Sequence, residues 1–408
     1  MNPRLNQLQP YPFQRLRELF AAVAPNPALK AVNLSIGEPK HATPEFIKEA
    51  LTANLHGLSS YPVTQGSEDL REAIADWCQM RYGAGFDLNL DPATQILPVN
   101  GSREALFAFA QAVIDPSKHI KRVLAPNPFY QIYEGAALLA GAQPTFLNTL
   151  PENGYRCDFA AIPEDLWETV QLAYVCSPGN PTGRVMSLSD WREVFELADR
   201  HGFVIASDEC YSEIYFHEGQ PPLGALTAAK ELGRDFRNLV VFNSLSKRSN
   251  VPGLRSGFVA GDAELIQQFL LYRTYHGSAM NPAIQAASAA AWRDEGHVHE
   301  NRRQYREKFA AVMPILHGAL EFDAPDAAFY LWAKVPGGDD TTFARELYRE
   351  KHVTVLPGYY LARAANGVNP GQGFIRIALV DGLEPCIEAA QRIVDFVAEK
   401  PVMQAVSR

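Results

Sequence analysis

The sequence predicts an α/β protein, in which a mostly parallel sheet is covered by helices on both faces and is followed by a smaller α+β domain. Two observations carry this reading. From about Pro98 to Gly261, short apolar runs bounded by turn residues (RVLAP, PTFLN, VQLAYVCSP, FVIASDE, LVVFNSLSK, SGFVAG) alternate with amphipathic stretches. Beyond Asp262, long helical patterns precede a smaller strand set, FYLWAKV, VTVLPG and FIRIALV, and a closing helix from about Glu384 to Glu399.

The elements follow in order. After a proline-rich entry (Pro10, Pro12, Pro25, Pro27), Thr43 before Pro44 and Glu45 reads as an N-cap; Ile47, Leu51 and Leu55 continue that helix until Gly57. Ser67 caps a second helix, with Leu70, Ile74 and Trp77 as its buried stripe and Gly83 as its stop. The expected division is an N-terminal segment 1–42 joining the small domain, a large domain 43–290, and a small C-terminal domain 291–408.

Composition narrows the class. A chain of 408 residues, 47% apolar and 20% charged, can bury a deep core and a ligand pocket. A formal charge of −9 argues against nucleic-acid binding, which needs a basic face. No apolar run is long enough for a signal peptide or a membrane span, so a cytoplasmic address without membrane contact is expected. Five scattered cysteines without a C-x-x-C pair fit free thiols in a reducing compartment, and no metal site is expected.

Five motifs carry chemistry. SLSKRSNVPGLRSG sets Lys247 after Ser244 and Ser246, with Arg255 eight residues on. VNGSREALF reads as a strand end, a Gly-Ser turn and a helix, so the amides at Ser102 and Arg103 point from a helix N-terminus, either as a phosphate seat or as a plain cap. SPGNPTG forms a rigid turn with Asn180 as its one amide side chain, which caps backbone or binds a ligand. SDECYSEIYF puts Asp208 at a strand end and Tyr211 three residues later, a buried carboxylate that must be paired. FIRIAL places Arg376 inside an apolar strand, where the guanidinium needs an anionic partner, structural or bound.

The ordered set NLSIGEP, Y-x4-G-x3-LR, NGSRE, SPGNPTG, SDECYSE, SLSK-x7-R and FIRIAL, spread over nearly the whole chain, resembles the class I/II aminotransferases of the pyridoxal-phosphate fold-type I superfamily. The resemblance implies a large domain with a seven-stranded, mostly parallel sheet and pyridoxal 5′-phosphate as cofactor. It implies that Lys247 forms the Schiff base with the cofactor and then moves a proton at the substrate. Ser244, Ser246, Arg255 and the amides after Gly101, at Ser102 and Arg103, are implied to hold the phosphate. Asp208 is implied to pair with the pyridine nitrogen, Tyr211 and Asn180 with the ring 3′-oxygen, and Tyr130 to stack on the ring, with Phe129 one residue away as the alternative. Arg376, with Gly37 leaving room beside it, is implied to grip the substrate carboxylate, and Tyr61 to reach the phosphate of a neighbouring subunit in a homodimer. The Asn180–Pro181 bond is expected to be cis.

The opening NPRLNQLQPYPFQRLREL, followed by NLSIGEPKHATP, is similar to N-succinyl-LL-diaminopimelate aminotransferases of bacterial lysine biosynthesis, with small amino and 2-oxo acids as partners. Other transaminases and β-lyases of the same fold are the alternatives. A regulator built on the same domain needs a DNA-binding motif ahead of it, and a dinucleotide enzyme needs a G-x-G-x-x-G after the first strand; the sequence offers neither. Recognition of the substrate's distal end is expected from Arg273, His276, Ser278 and Asn281 in YRTYHGSAMNP, or else from Arg15, Arg17, Lys40 or His41.

Overall fold

The computed structural model describes residues 1–83 and 85–400. Its strands are β1 (Val32–Asn33), β2 (Ile96–Val99), β3 (Arg122–Asn127), β4 (Gln143–Asn148), β5 (Val170–Cys176), β6 (Val204–Asp208), β7 (Leu239–Ser244), β8 (Gly257–Gly261), β9 (Tyr330–Lys334), β10 (Val353–Thr354), β11 (Leu356–Pro357) and β12 (Phe374–Ala378). The expected alternation is present as a seven-stranded sheet in the order β2-β8-β7-β6-β5-β3-β4. All its neighbours are parallel except β8, which runs antiparallel to both β2 and β7.

Strands β6 and β7 are buried along their whole length because helices cover both faces. One face packs Trp77, Trp191, Phe258 and Trp292; the other packs Phe109, Phe129, Tyr133 and Phe269. Each such side chain contributes roughly 1.5–3 kcal/mol when fully withdrawn from water. A separate core around Tyr305, Phe329, Phe343 and Phe396 supports the antiparallel sheet β11-β12-β9. Strand β1 lies parallel to β10, which ties the entry segment to the C-terminal part of the chain.

Ser67 accepts from the Leu70 amide and starts the helix Glu68–Tyr82, as its sequence predicts. The preceding helix differs from the expectation. It spans Glu45–Ala53 with Pro44 at its N-cap and no side-chain cap, and the Thr43 hydroxyl reaches instead to the Asn250 carbonyl (2.9 Å). Leu55 falls in a short 3-10 turn and is 47% exposed, so the apolar spacing does not extend one helix to Gly57. Among the described residues no helix is long and apolar enough to cross a membrane.

Candidate active site

Parallel strands deliver the chemistry to one edge, since the carboxyl ends of β5, β6 and β7 open into the same crevice. A cavity of about 560 Å³ lies there, and Ser102, Arg103, Tyr130, Asn180, Asp208, Tyr211, Ser244, Ser246, Lys247, Arg255, Gly37 and Arg376 line it. The motifs are thus brought together from positions spread along the chain. Gly101 lies just outside as the N-cap of the helix Ser102–Val113, with φ 88°. Its missing side chain makes room for Arg255: a Cβ there would lie 2.3 Å from the Arg255 Nη2.

At the end of β7, the Ser244 hydroxyl accepts from the Ser246 amide (3.1 Å) and caps the short helix Leu245–Arg248. That turn presents Lys247, whose Nζ donates to the Gly37 carbonyl (2.9 Å). Burial pulls the Lys247 amine down to about 8, and the charges of Arg103 and Arg255 add to the shift. Arg255 closes the cradle at φ 54°, with its Nη1 donating to the Pro252 carbonyl (2.8 Å). Hydroxyls, a guanidinium and a helix N-terminus therefore converge on one anion-sized seat.

Asp208 ends β6 at 4% exposure. Its Oδ2 accepts from the Tyr133 hydroxyl (2.7 Å) and its Oδ1 from the Cys210 amide (3.2 Å). Neither donor carries a charge, and burial raises the pKa of the carboxyl. This side chain is prepared for a cation in the cavity. Tyr130 lines the cavity and accepts from Arg103 Nε (2.6 Å), whereas Phe129 stacks on Phe146 in the core, so the register left open by the sequence has Tyr130 facing the site.

Arg376 is 4% exposed; its Nη1 donates to Asn180 Oδ1 (2.9 Å) and its Nη2 to the Ser35 carbonyl (2.8 Å). Its Nε has no partner, and no carboxylate pairs with it among the described residues. The anionic partner that the sequence demands is therefore not a side chain of this chain's described part. The turn that sets Asn180 has cis bonds at Ser177–Pro178 and Asn180–Pro181, the second as expected.

Several features add to the sequence reading or depart from it. Gly37 lines the cavity with Arg376, and its missing side chain also admits the Tyr330 hydroxyl, 1.9 Å from where a Cβ would fall. The Tyr211 hydroxyl lies 2.8 Å from that of Tyr330, a partner the sequence does not indicate, and when it accepts there it can still donate into the cavity. Tyr61 is fully exposed and outside this chain's own cavity, as a residue that reaches a neighbouring subunit would be. The distal-recognition expectation fails for two residues of the 272–282 segment: Arg273 is fully buried and chelates Glu104 (2.6 and 2.8 Å), an acid that the local sequence does not contain. Asn281 caps the helix Pro282–Arg293, and His276 bonds Ser278 (2.5 Å). Lys40 is likewise paired with Asp381. The sequence does not single out Tyr133, Tyr330, Ser35, Tyr11 or Glu38; Tyr133 is signalled by its place three residues after Tyr130 at the start of a helix, and Ser35 and Glu38 by their place in NLSIGEP.

A family model described as aminotransferase class I and II matches residues 30–393. The chain is 33% identical to an LL-diaminopimelate aminotransferase of Nitratidesulfovibrio vulgaris, over 96% of this chain and 97% of that one. Among solved structures, an aminotransferase from Neisseria meningitidis Z2491 superposes with a TM-score of 0.93 at 53% identity, covering 97% of this chain and all of the other. A Thermus thermophilus protein described as a "probable N-succinyldiaminopimelate aminotransferase" superposes at 0.82 with 29% identity, over 94% of this chain and 99% of that one.

Proposed function

As the chain belongs to the class I and II aminotransferases, which use pyridoxal 5′-phosphate, we propose that this transaminase acts on N-succinyl-LL-diaminopimelate with 2-oxoglutarate, in lysine biosynthesis. The observation that carries the substrate class is Arg376, a buried guanidinium in the cavity lining that no carboxylate pairs among the described residues. A carboxylate fits it. Arg103 supports a second acidic group: it stands at the mouth with Nε on Tyr130, at the second residue of a helix, where a cation opposes the helix dipole.

The residues present fit the cofactor. Asp208 offers a buried carboxylate to a protonated ring nitrogen, the Ser244–Ser246–Arg255 cradle with the Ser102 and Arg103 amides suits a phosphate, and the lowered Lys247 amine suits an aldehyde. Bound there, the cofactor supplies an electron sink for the bond broken at the substrate α-carbon. The rest falls to the chain. Lys247 would hold the cofactor through its lowered amine and would carry the proton to and from the substrate α-carbon. Asp208 would keep the ring nitrogen protonated, Asn180 and Tyr211 would hold the ring 3′-oxygen, Tyr130 would cover the ring, and Arg376 would orient the α-carboxylate.

Arg376→Ala is expected to raise the KM of every amino and 2-oxo acid alike by about 30- to 1000-fold, the equivalent of about 2–4 kcal/mol. Steady-state kinetics with two unrelated donors checks this; a rise for one substrate only would move the carboxylate elsewhere.

The succinylated substrate is tested by a half-reaction screen that follows cofactor absorbance. N-succinyl-LL-diaminopimelate and glutamate are expected to convert the cofactor, with free LL-diaminopimelate slower. A response to the free diamino acid alone would sink the succinyl reading. That second reading is favoured by Glu38, an exposed carboxylate lining the cavity that would attract a distal ammonium. The exposed Leu58, Tyr61 and Val63 support burial against a second copy in a homodimer, with Tyr61 reaching the partner's phosphate. The same reading takes 43–290 as the large domain, 1–42 and 291–408 as the smaller unit (residues 401–408 lie outside the described residues), and the cytoplasm as the location.

A further inference from the structure

Three segments distant in sequence meet behind Lys247. Asn301, in the helix Gly296–Leu316 and 1% exposed, donates through Nδ2 to the main-chain carbonyls of Lys247 (3.1 Å) and Arg248 (3.3 Å). Its Oδ1 lies 2.7 Å from His41 Nδ1 and 3.0 Å from Asn250 Nδ2. The other ring nitrogen, Nε2, lies 2.6 Å from the Lys308 amine, which also donates to the Leu379 carbonyl (3.3 Å). Burial lowers the Lys308 amine to about 8; below that pH it is an ammonium that can only donate, so Nε2 accepts and the His41 proton sits on Nδ1. That tautomer donates to Asn301 Oδ1, which fixes the amide with its Nδ2 toward the Lys247 carbonyl.

The segment that carries His41 also touches the reacting groups. Ser35 holds Arg376 through its carbonyl, Gly37 accepts from the Lys247 amine, and Ile36, Gly37 and Glu38 line the cavity. Lys308 is 2% exposed, and Asp381, an acid whose charge acts on it, is ion-paired with Lys40. A buried ammonium bonded to an imidazole and a carbonyl is costly in a part of the fold that has only to pack. Burial and the Lys308 charge hold His41 down at about 4, so it stays neutral against the opposing influence of Glu300.

We propose that His41 is a positioning residue for the Lys247 amine: through Asn301 it locks the Lys247 turn to the 35–41 segment, which carries both the acceptor of that amine and an anchor of Arg376. Segment, turn and substrate seat then take their places as one unit. This rests on the reading of Lys247 as the amine that captures the cofactor.

Three variants test it. His41→Phe keeps a ring against Tyr305, whose centroid lies 4.6 Å away, but donates nothing to Asn301. His41→Gln restores an amide donor, and Asn301→Leu removes the relay. Holoenzymes are titrated while visible absorbance is followed, the charged neighbours of Lys247 that bear on the midpoint being Arg103, Arg255 and Glu38, with the Cys210 thiol beside them. Apoenzymes are timed for capture of pyridoxal phosphate, and kcat and KM are measured. His41→Phe and Asn301→Leu are expected to shift the spectral midpoint by about half a pH unit or more and to slow both capture and kcat by about tenfold, with KM within about twofold. His41→Gln should recover most of each loss.

A His41→Phe enzyme with the parental midpoint and capture rate, even one that melts earlier, overturns the proposal. If that variant does not fold, Lys308→Met takes its place, since it removes the donor that fixes the tautomer; the same shift is expected, and its absence overturns the proposal equally. A parent enzyme without a titratable visible band would instead remove the reading of Lys247. A band that is present but indifferent to these variants removes this inference alone.

Discussion

Lys247→Ala is expected to leave a protein that lacks the visible band lost on borohydride reduction of the parent and that transaminates on the order of a million-fold more slowly. The amine has two tasks in this reading, capture of the cofactor aldehyde and movement of the α-proton, and among the described residues no other lysine lines the cavity. Its main chain is held by Asn301 and its Nζ by the Gly37 carbonyl, so a substitute base would have to come from solvent. A companion measurement uses the parent apoenzyme. With the amine lowered to about 8 by burial, the neutral, nucleophilic fraction grows as pH rises, reaches half at that value and is nearly complete about a unit above it. Cofactor capture should therefore climb through about pH 8 and then level; a climb that continues to the ordinary lysine range would show an amine in contact with water. Near-parental turnover by Lys247→Ala would remove the central assignment.

Asp208→Ala is expected to keep the cofactor yet lose about a thousandfold or more in kcat. The anion cradle of Ser244, Ser246 and Arg255 is built from other strands and loops and remains in place, so anchoring and activation separate in this variant. The loss follows from the carboxylate's surroundings. Tyr133 and the Cys210 amide hold it in position without neutralising it, and it stays available to a protonated ring nitrogen in a buried setting where charge is felt strongly. Equilibrium dialysis for cofactor and single-turnover kinetics together check the claim. A variant that loses cofactor as readily as it loses rate would make Asp208 an anchor and not an activator.

Most of the candidate site could be read from the sequence because its motifs are local. Asp208, Asn180 and Ser244 each stand at or just beyond the end of an apolar strand, and a strand end marked by turn residues is visible in a window of ten residues. The helix start at Ser102 and the Pro-Gly bend before Arg255 are equally short-range. Helix boundaries fared worse, as where the Thr43 hydroxyl reaches to the Asn250 carbonyl and Pro44 stands at the cap.

The sequence by itself determined the sheet-forming runs, the order of the motifs and the residue types that converge, since hydrophobic period and turn chemistry act between near neighbours. Only the tertiary structure decided which buried polar groups satisfy one another. Tyr133 meets Asp208 across 75 residues, Tyr211 meets Tyr330 across 119, Arg273 meets Glu104 across 169, and Arg376 meets the Ser35 carbonyl across 341. Those partners are fixed by strand order and by the packing of the smaller sheet beside the larger one, which no local period encodes. A buried donor must be satisfied by whatever the fold brings within about 3 Å. That is why Arg273, expected to recognise the substrate's distal end, is consumed by Glu104, while Arg376, read as needing an anion, has no carboxylate partner among the described residues.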